Sequence, residues 1–305
     1  MKVLLTSTSF QDTPGAHHDL LNNQGFEIDF LRGPITEDEL LPIIQQYDAV
    51  ICGDDEYTKA VLEKGKAGKL KFLAKYGVGL DRIDLAAAKV LGISVTNCPG
   101  VNQVSVAEHV LALLFTFEKN IHLQYQTTKE GSWKRMTGHE IQGSTMGVIG
   151  MGAVGKEVVK KSCALGMKVL VFDILCDEQF LQKVPDAKFT NDINQIYKEA
   201  DVISLHVPHN THTDRLINED VLFNKVKKTP IIINTARGKL VDTDAIIKGL
   251  EQSKIRAYLT DVLNTEPISS DEKLMGIPNV IITPHVGSRT YESVVRQGTF
   301  AVKNL

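Results

Sequence analysis

Three features of the chain predict a doubly wound α/β protein with two parallel sheets. Short β-rich runs alternate with helical patterns along the whole sequence, the order that βαβ units require. The alternation restarts near residue 145, where an apolar run meets a glycine-rich turn and then a helical stretch. The length of 305 residues is enough for two domains, each with a core of its own.

In the first half, strands are expected at Val3–Thr6, Glu27–Leu31, Ala49–Gly53, Phe72–Tyr76 and Ser94–Asn97, with helices such as Glu37–Gln46 and Leu85–Leu91 between them. In the second half, strands are expected at Thr145–Gly150, 169–173, 201–207, 230–236, 257–262 and 279–283. Between the halves, Ser105–Asn120 reads as a helix. Ser105 and Glu108 have the spacing of a capping box, and Pro99-Gly100 before them reads as a hinge. The apolar side of this helix is expected to be core, with an oligomer contact as the alternative, and Trp133 beyond it is expected to pack at the domain junction. No short-period repeat or low-complexity tract is present, which excludes solenoids and disordered arrays.

Composition is ordinary for a globular protein, at 43% apolar and 23% charged residues. A net charge of −3 gives no electrostatic reason to expect nucleic acid or an anionic membrane as partner. The longest apolar run, 110–117, is far too short to span a bilayer. Cys52, Cys98, Cys163 and Cys176 are scattered without a CxxC pair, so they read as reduced thiols in a cytoplasmic protein. His206, His209 and His212 are spaced by three around Pro208 without a fourth ligand, and they are read as loop residues with no metal.

Gly150-Met-Gly152-Ala153-Val154-Gly155 follows an apolar run and enters the helical stretch Lys156–Leu165. Glycines at this spacing allow a tight turn, close approach of backbone to a pyrophosphate, and tight helix–strand packing. The phosphates would sit on the N–H groups of the helix start. The next strand ends at Asp173, 18 residues after Gly155, where a carboxylate can bind ribose hydroxyls and repel a 2′-phosphate. No Arg or Lys follows in 174–178, so NAD is expected rather than NADP.

Arg237, Glu266 and His285 each follow an apolar, strand-like run. In an open parallel sheet, the carboxyl ends of the strands line the ligand crevice. A guanidinium there can clamp a carboxylate, and an imidazole beside a carboxylate can move a proton near neutral pH. These three are the candidate catalytic residues.

Several stretches, in order, then identify a resemblance: KYGVGLDRIDL (75–85), NCPGVNQVSVAE (97–108), the GMGAVG turn, HVPHNTHTDRLIN (206–218), INTARGKLVD (233–242), DVLNTEP (261–267) and TPHVGSRT (283–290). The chain resembles the D-isomer-specific 2-hydroxyacid dehydrogenase family over nearly its whole length, in the short form without a regulatory C-terminal domain. The resemblance implies two Rossmann/flavodoxin-like domains with the active site in the cleft between them. It divides the chain into a discontinuous substrate-binding domain, 1–99 plus 285–305, and an NAD-binding domain, 100–284.

It also implies roles. His285 would be the acid/base, Glu266 would hold its imidazole, and Arg237 would bind the substrate carboxylate and polarise the keto oxygen. Tyr76, Gly77, Val78, Gly79 and Asn102 would be substrate-binding, with the N–H groups of Val78 and Gly79 as a second carboxylate clamp. Asp261 would hold the nicotinamide amide. His206, Val207, Pro208, Thr213, Thr235, Ala236 and Gly287 would complete the cofactor site, together with Ala153 and Val154 of the glycine turn. The implied partners are a small 2-hydroxy or 2-keto acid and a second copy of the chain, joined through the NAD-binding domains.

The run Asp54-Asp55-Glu56 is expected to be a solvated loop near the substrate, and three acids there count against a phosphorylated substrate unless Lys75, Arg135 or Arg289 compensates. The glutamate at 266 is unlike formate dehydrogenases, which pair their histidine with glutamine. Two alternatives stay open: a 3-phosphoglycerate dehydrogenase, and an NAD-sensing corepressor-like interaction protein.

Overall fold

The computed structural model describes residues 1–305. The chain divides into two compact units, one of Met1–Asn102 with Arg289–Leu305 and one of Gln103–Ser288. These boundaries lie three to four residues beyond those expected. At the second boundary, His285, Val286 and Gly287 are tied by backbone hydrogen bonds to Asp261, which keeps them with the larger unit.

The first unit is built on a five-stranded parallel sheet of β1 (Lys2–Leu5), β2 (Glu27–Phe30), β3 (Ala49–Cys52), β4 (Phe72–Lys75) and β5 (Ser94–Thr96), in the order β2-β1-β3-β4-β5. Side chains alternate between two cores. Leu4, Val50 and Cys52 go to one face, and Val3, Leu5, Ala49 and Ile51 go to the other. Both faces are buried, as a parallel sheet requires. Val294, Ala301 and Val302 of the helix Tyr291–Lys303 complete the second core, so the chain must return to this unit at its end.

The second unit holds seven parallel strands: β6 (Thr145–Ile149), β7 (Lys168–Phe172), β8 (Ala187–Thr190), β9 (Val202–Leu205), β10 (Ile231–Asn234), β11 (Ala257–Thr260) and β12 (Val280–Ile282). Their order is β12-β11-β10-β9-β6-β7-β8. The order reverses between β6 and β9, which is the topological switch point where such sheets bind ligands. Here too the faces sort by parity, with Ile231 and Ile233 in one core and Ile232 in the other.

Some expectations are corrected. The helix that follows the first sheet along the chain runs from Gln103 to Glu118, so Ser105 lies inside it and is buried, not at its N-cap. Glu108 instead pairs with Lys161 at 3.0 Å. The stretch 37–46 is a short helix, Glu37–Leu40, and a 3₁₀ turn, Ile44–Gln46, because Pro42 cannot continue a helix. A capping box is present at its start instead, between Thr36 and Glu39. Strand β8 was not expected: four residues (AKFT) at a sheet edge carry too little periodicity. Trp133 does not pack and is 79% exposed. No helix is long and apolar enough to cross a membrane.

Candidate active site

Strands β10, β11 and β12 are neighbours, and their carboxyl ends carry the three candidate residues to one edge of one sheet. Beyond β10, the buried Asn234 folds the turn. Its amide donates to the Arg237 carbonyl at 2.8 Å, and its side-chain oxygen accepts from Ala236 N–H at 3.1 Å. Arg237 leaves this turn extended, and its guanidinium donates to the Ala236 carbonyl at 2.6 Å. Gly238 follows in contact with the next loop: a Cβ there would lie 2.2 Å from the Leu263 carbonyl, so only glycine fits.

That same loop carries Glu266. One carboxylate oxygen accepts from Leu263 N–H at 2.8 Å, and the other meets His285 Nδ1 at 2.7 Å. His285 has φ +53°, a left-handed conformation in which histidine is uncommon but tolerated better than branched residues. With Nδ1 committed to the carboxylate, Nε2 is the nitrogen that can exchange a proton with a ligand. The geometry supports an oriented acid/base beside a fixed cation.

Asp261, just past β11, is 2% exposed. Its carboxylate accepts from Thr283 Oγ1 at 2.5 Å, Val286 N–H at 2.9 Å and Gly287 N–H at 2.7 Å, and its carbonyl accepts from His285 N–H at 3.0 Å. Burial works against charge on Asp261, but hydrogen bonds from His109, Thr283 and the two backbone amides outweigh it and hold the carboxyl below its ordinary pKa. Asp261, expected to hold the nicotinamide amide, braces the His285 turn in this structure.

The glycine turn has the three features a dinucleotide needs. Gly150 has φ +107°, a Cβ on Gly155 would lie 1.9 Å from the Gly150 carbonyl, and a Cβ on Gly152 would meet nothing within 4 Å. Gly152 begins the helix Ala153–Ala164 with no side chain capping it, so the N–H groups of Ala153 and Val154 face the helix mouth as an anion site requires. Asp173 accepts from Met151 N–H at 2.6 Å and Leu175 N–H at 3.1 Å, which fixes the carboxylate over the turn. Thr235 Oγ1 is buried without a partner, an acceptor and donor left for a ligand. These residues fit the group.

The 206–213 stretch is held from within. His206 N–H donates to the Ile149 carbonyl at 2.7 Å, and its Nε2 meets Ser204 Oγ at 2.8 Å. Thr213 Oγ1 donates to the Pro208 carbonyl at 2.6 Å, His209 pairs with Asp214 at 2.8 Å, and Val207 packs partly on the core.

Burial lowers the His206 imidazole to about 3, and it also lowers the fully buried His17. The unfolded chain takes up these protons near ~6.5 while the native state does not. Stability is therefore full above that pH and falls as pH drops below it, by up to about 1.4 kcal/mol per pH unit for His206, with His17 acting in the same direction. Burial raises the Asp55 carboxyl, offset in part by the Thr6 hydrogen bond, and this acts with the opposite sign nearer pH 4. Thermal unfolding from pH 7.5 to 5.5 should show a falling Tm, and His206→Gln should flatten the slope.

In the first unit, Tyr76 follows β4 and is 8% exposed. The Gly77 carbonyl accepts from Cys98 N–H at 2.8 Å, and the Val78 carbonyl accepts from Asn97 at 2.7 Å. The N–H groups of Val78 and Gly79 donate to no group of the chain. Asn102 is the last residue before the second unit. The acidic run is only partly the solvated loop expected: Asp54 is exposed and Glu56 half-buried, but Asp55 is internal. Asp55 is fully buried and accepts from Thr6 Oγ1 at 2.5 Å and Ile35 N–H at 3.0 Å. Asp54 pairs with the buried Lys75 at 2.6 Å, and Glu56 pairs with Arg82 at 3.0 Å. Asn234, Gly238, Thr283 and His109 are site residues that sequence reasoning missed. INTARG and TPH hinted at Asn234 and Thr283, but nothing marked His109, whose contact spans 174 residues.

The model for the D-isomer specific 2-hydroxyacid dehydrogenase NAD binding domain matches residues 111–287. The chain is 36% identical over 94% of its length to a hydroxypyruvate reductase of Thermotoga maritima, spanning 92% of that protein. It is 36% identical over its full length to a D-3-phosphoglycerate dehydrogenase of Methanocaldococcus jannaschii, of which it spans only 57%. Among solved structures, the apo D-lactate dehydrogenase of Escherichia coli superimposes with a TM-score of 0.85 at 29% identity, covering 98% of this chain and 94% of that one. The family model and these relatives, together with the glycine turn and the Asp173 carboxylate, make the chain a member of the NAD-binding D-isomer specific 2-hydroxyacid dehydrogenase family.

Proposed function

We propose that the protein interconverts a small D-2-hydroxy acid and its 2-keto acid with NAD. The observation that carries this reading is the 2.7 Å pairing of His285 Nδ1 with Glu266 at the strand end beside Arg237. Hydride to and from the substrate carbon is the chemistry the nicotinamide supplies when bound. Arg237 clamps the substrate carboxylate with its planar fork of donors and polarises the keto oxygen. His285 gives a proton from Nε2 to the developing alkoxide, and in the reverse direction it takes one. Glu266 keeps Nδ1 protonated, fixes the ring, and balances the imidazolium. On the substrate side we assign Tyr76, Gly77, Val78, Gly79 and Asn102, with the undonated N–H groups of Val78 and Gly79 as a second clamp.

A phosphorylated substrate is the second reading. It is favoured by the state of the acidic run: Asp54 and Glu56 are neutralised by Lys75 and Arg82, and Asp55 is internal, so three free carboxylates do not oppose a phosphate. We further propose a homodimer through the cofactor-binding unit. Ile121, Tyr125 and Trp133 leave apolar surface exposed there, at 51%, 66% and 79%. Oxidation of NADH at 340 nm against pyruvate, glyoxylate, hydroxypyruvate, 2-ketoisocaproate and 3-phosphohydroxypyruvate tests the reaction and ranks the substrates. Tight NADH binding without turnover on any of these acids would reject the enzyme reading.

A further inference from the structure

We propose that His109 is a positioning residue for the reaction, one that holds the His285 turn in place through Thr283 and Asp261. The inference rests on the assignment of His285 as acid/base. His109 lies on the helix Gln103–Glu118, far from the strand ends in sequence and outside the motifs that mark the site. Its Nε2 is 2.9 Å from Thr283 Oγ1 and 3.4 Å from Asp261 Oδ1.

The direction of these bonds follows from counting protons. Thr283 has one hydroxyl proton, and the 2.5 Å contact with the ionised Asp261 takes it. Thr283 Oγ1 can then only accept, so His109 must carry its proton on Nε2. The chain of donors runs from His109 to Thr283 to Asp261, and each member has its partner fixed.

What the chain of bonds holds is the catalytic turn. Asp261 receives three consecutive backbone N–H groups, that of His285 on its carbonyl and those of Val286 and Gly287 on its carboxylate. Between these anchors His285 sits at φ +53°, a conformation of the backbone that costs free energy unless its surroundings enforce it. Gly287 shows how closely the parts fit. A Cβ there would lie 3.0 Å from Asp261 Oδ2 and 3.5 Å from His109 Cδ2, so a side chain at this position would press on the carboxylate. Removing the His109 donor would take one polar neighbour from Thr283 Oγ1 and from Asp261 Oδ1, and the carboxylate would be held less tightly, by Thr283 and the two backbone amides alone. The turn would then relax, and Nε2 of His285 would move relative to the carbonyl oxygen it must protonate.

A small misplacement of this kind slows the chemical step and leaves binding of the keto acid to Arg237 intact. His109→Leu should lower kcat on the best keto acid by about 10–100-fold with KM nearly unchanged. His109→Gln places a side-chain N–H near the position of Nε2 and should recover most of the loss. Thr283→Val should reproduce the loss, and the double variant His109→Leu/Thr283→Val should lose no more than the worse single one. In parallel, the low-field Nδ1–H proton resonance of His285 should persist in wild type and in His109→Gln and should broaden or shift in His109→Leu. An inactive wild type would sink the assignment of His285 and leave the resonance to test the positioning. An active wild type with His109→Leu and Thr283→Val at full kcat would overturn the positioning role. So would a loss confined to KM, or equal loss in His109→Gln and His109→Leu. Should His109→Leu fail to fold, the Thr283→Val and His109→Gln results decide alone.

Discussion

His285→Asn is expected to cut turnover by about 10²–10⁴-fold while NADH binds as tightly as before. Asparagine is the informative replacement because the residue sits at φ +53°. Asn accepts the left-handed region readily, whereas alanine or glutamine would add backbone strain to the loss of the imidazole. The Asn variant therefore removes the proton donor with little change in the turn, and the deficit belongs to the chemistry. Steady-state rates and NADH fluorescence titration measure the two effects separately. Equal loss of both would make His285 a structural residue and leave the reaction without its acid.

The glycine turn gives the second large effect, and here two neighbouring glycines separate folding from cofactor binding. Gly155→Ala puts a methyl group 1.9 Å from the Gly150 carbonyl. Gly150 is backbone at the end of the central strand β6 and Gly155 lies in the first turn of the helix Ala153–Ala164, so neither can yield cheaply. We expect a stability loss of about 3 kcal/mol or more, with NADH binding gone at assay temperature. Gly152→Ala meets no atom of the protein within 4 Å, so it should fold normally. Its methyl group would stand where the pyrophosphate approaches, and NADH affinity should fall by about tenfold or more. Calorimetry and titration on both variants give the comparison. Undiminished NADH binding in a folded Gly152→Ala would remove the turn from the cofactor site.

Much of the fold was legible because its signals are local. Strands buried on both faces read as short apolar runs such as Ile231–Asn234, and the glycine spacing at 150–155 marks a turn where backbone must approach backbone. The candidate residues stood out because each terminates such a run. The rest depends on contacts between distant parts of the chain. The sequence 54–56 looks solvated because it is acidic, but Asp55 is drawn inside by a hydroxyl and an amide 49 and 20 residues away. Pro42 splits the helical pattern of 37–46 into a short helix and a 3₁₀ turn. Strand β8 is too short to have a period. His109 looked like any helical histidine, since the partner that explains it lies at the far end of the unit.

His285, the residue proposed as acid/base, hangs from the terminal strand of its sheet. β12 has three residues and a single neighbour, β11, and its outer side has no strand partner. Elements of this kind open first, at a free energy below that of global unfolding. Competence and foldedness are thus separable in this protein. A partly opened population could keep both hydrophobic cores and the dinucleotide turn and still have lost its proton donor. As denaturant or temperature rises, catalytic silence should come before any spectroscopic sign of unfolding, and the margin between the two is set by the bonds that tie the His285 turn to Asp261.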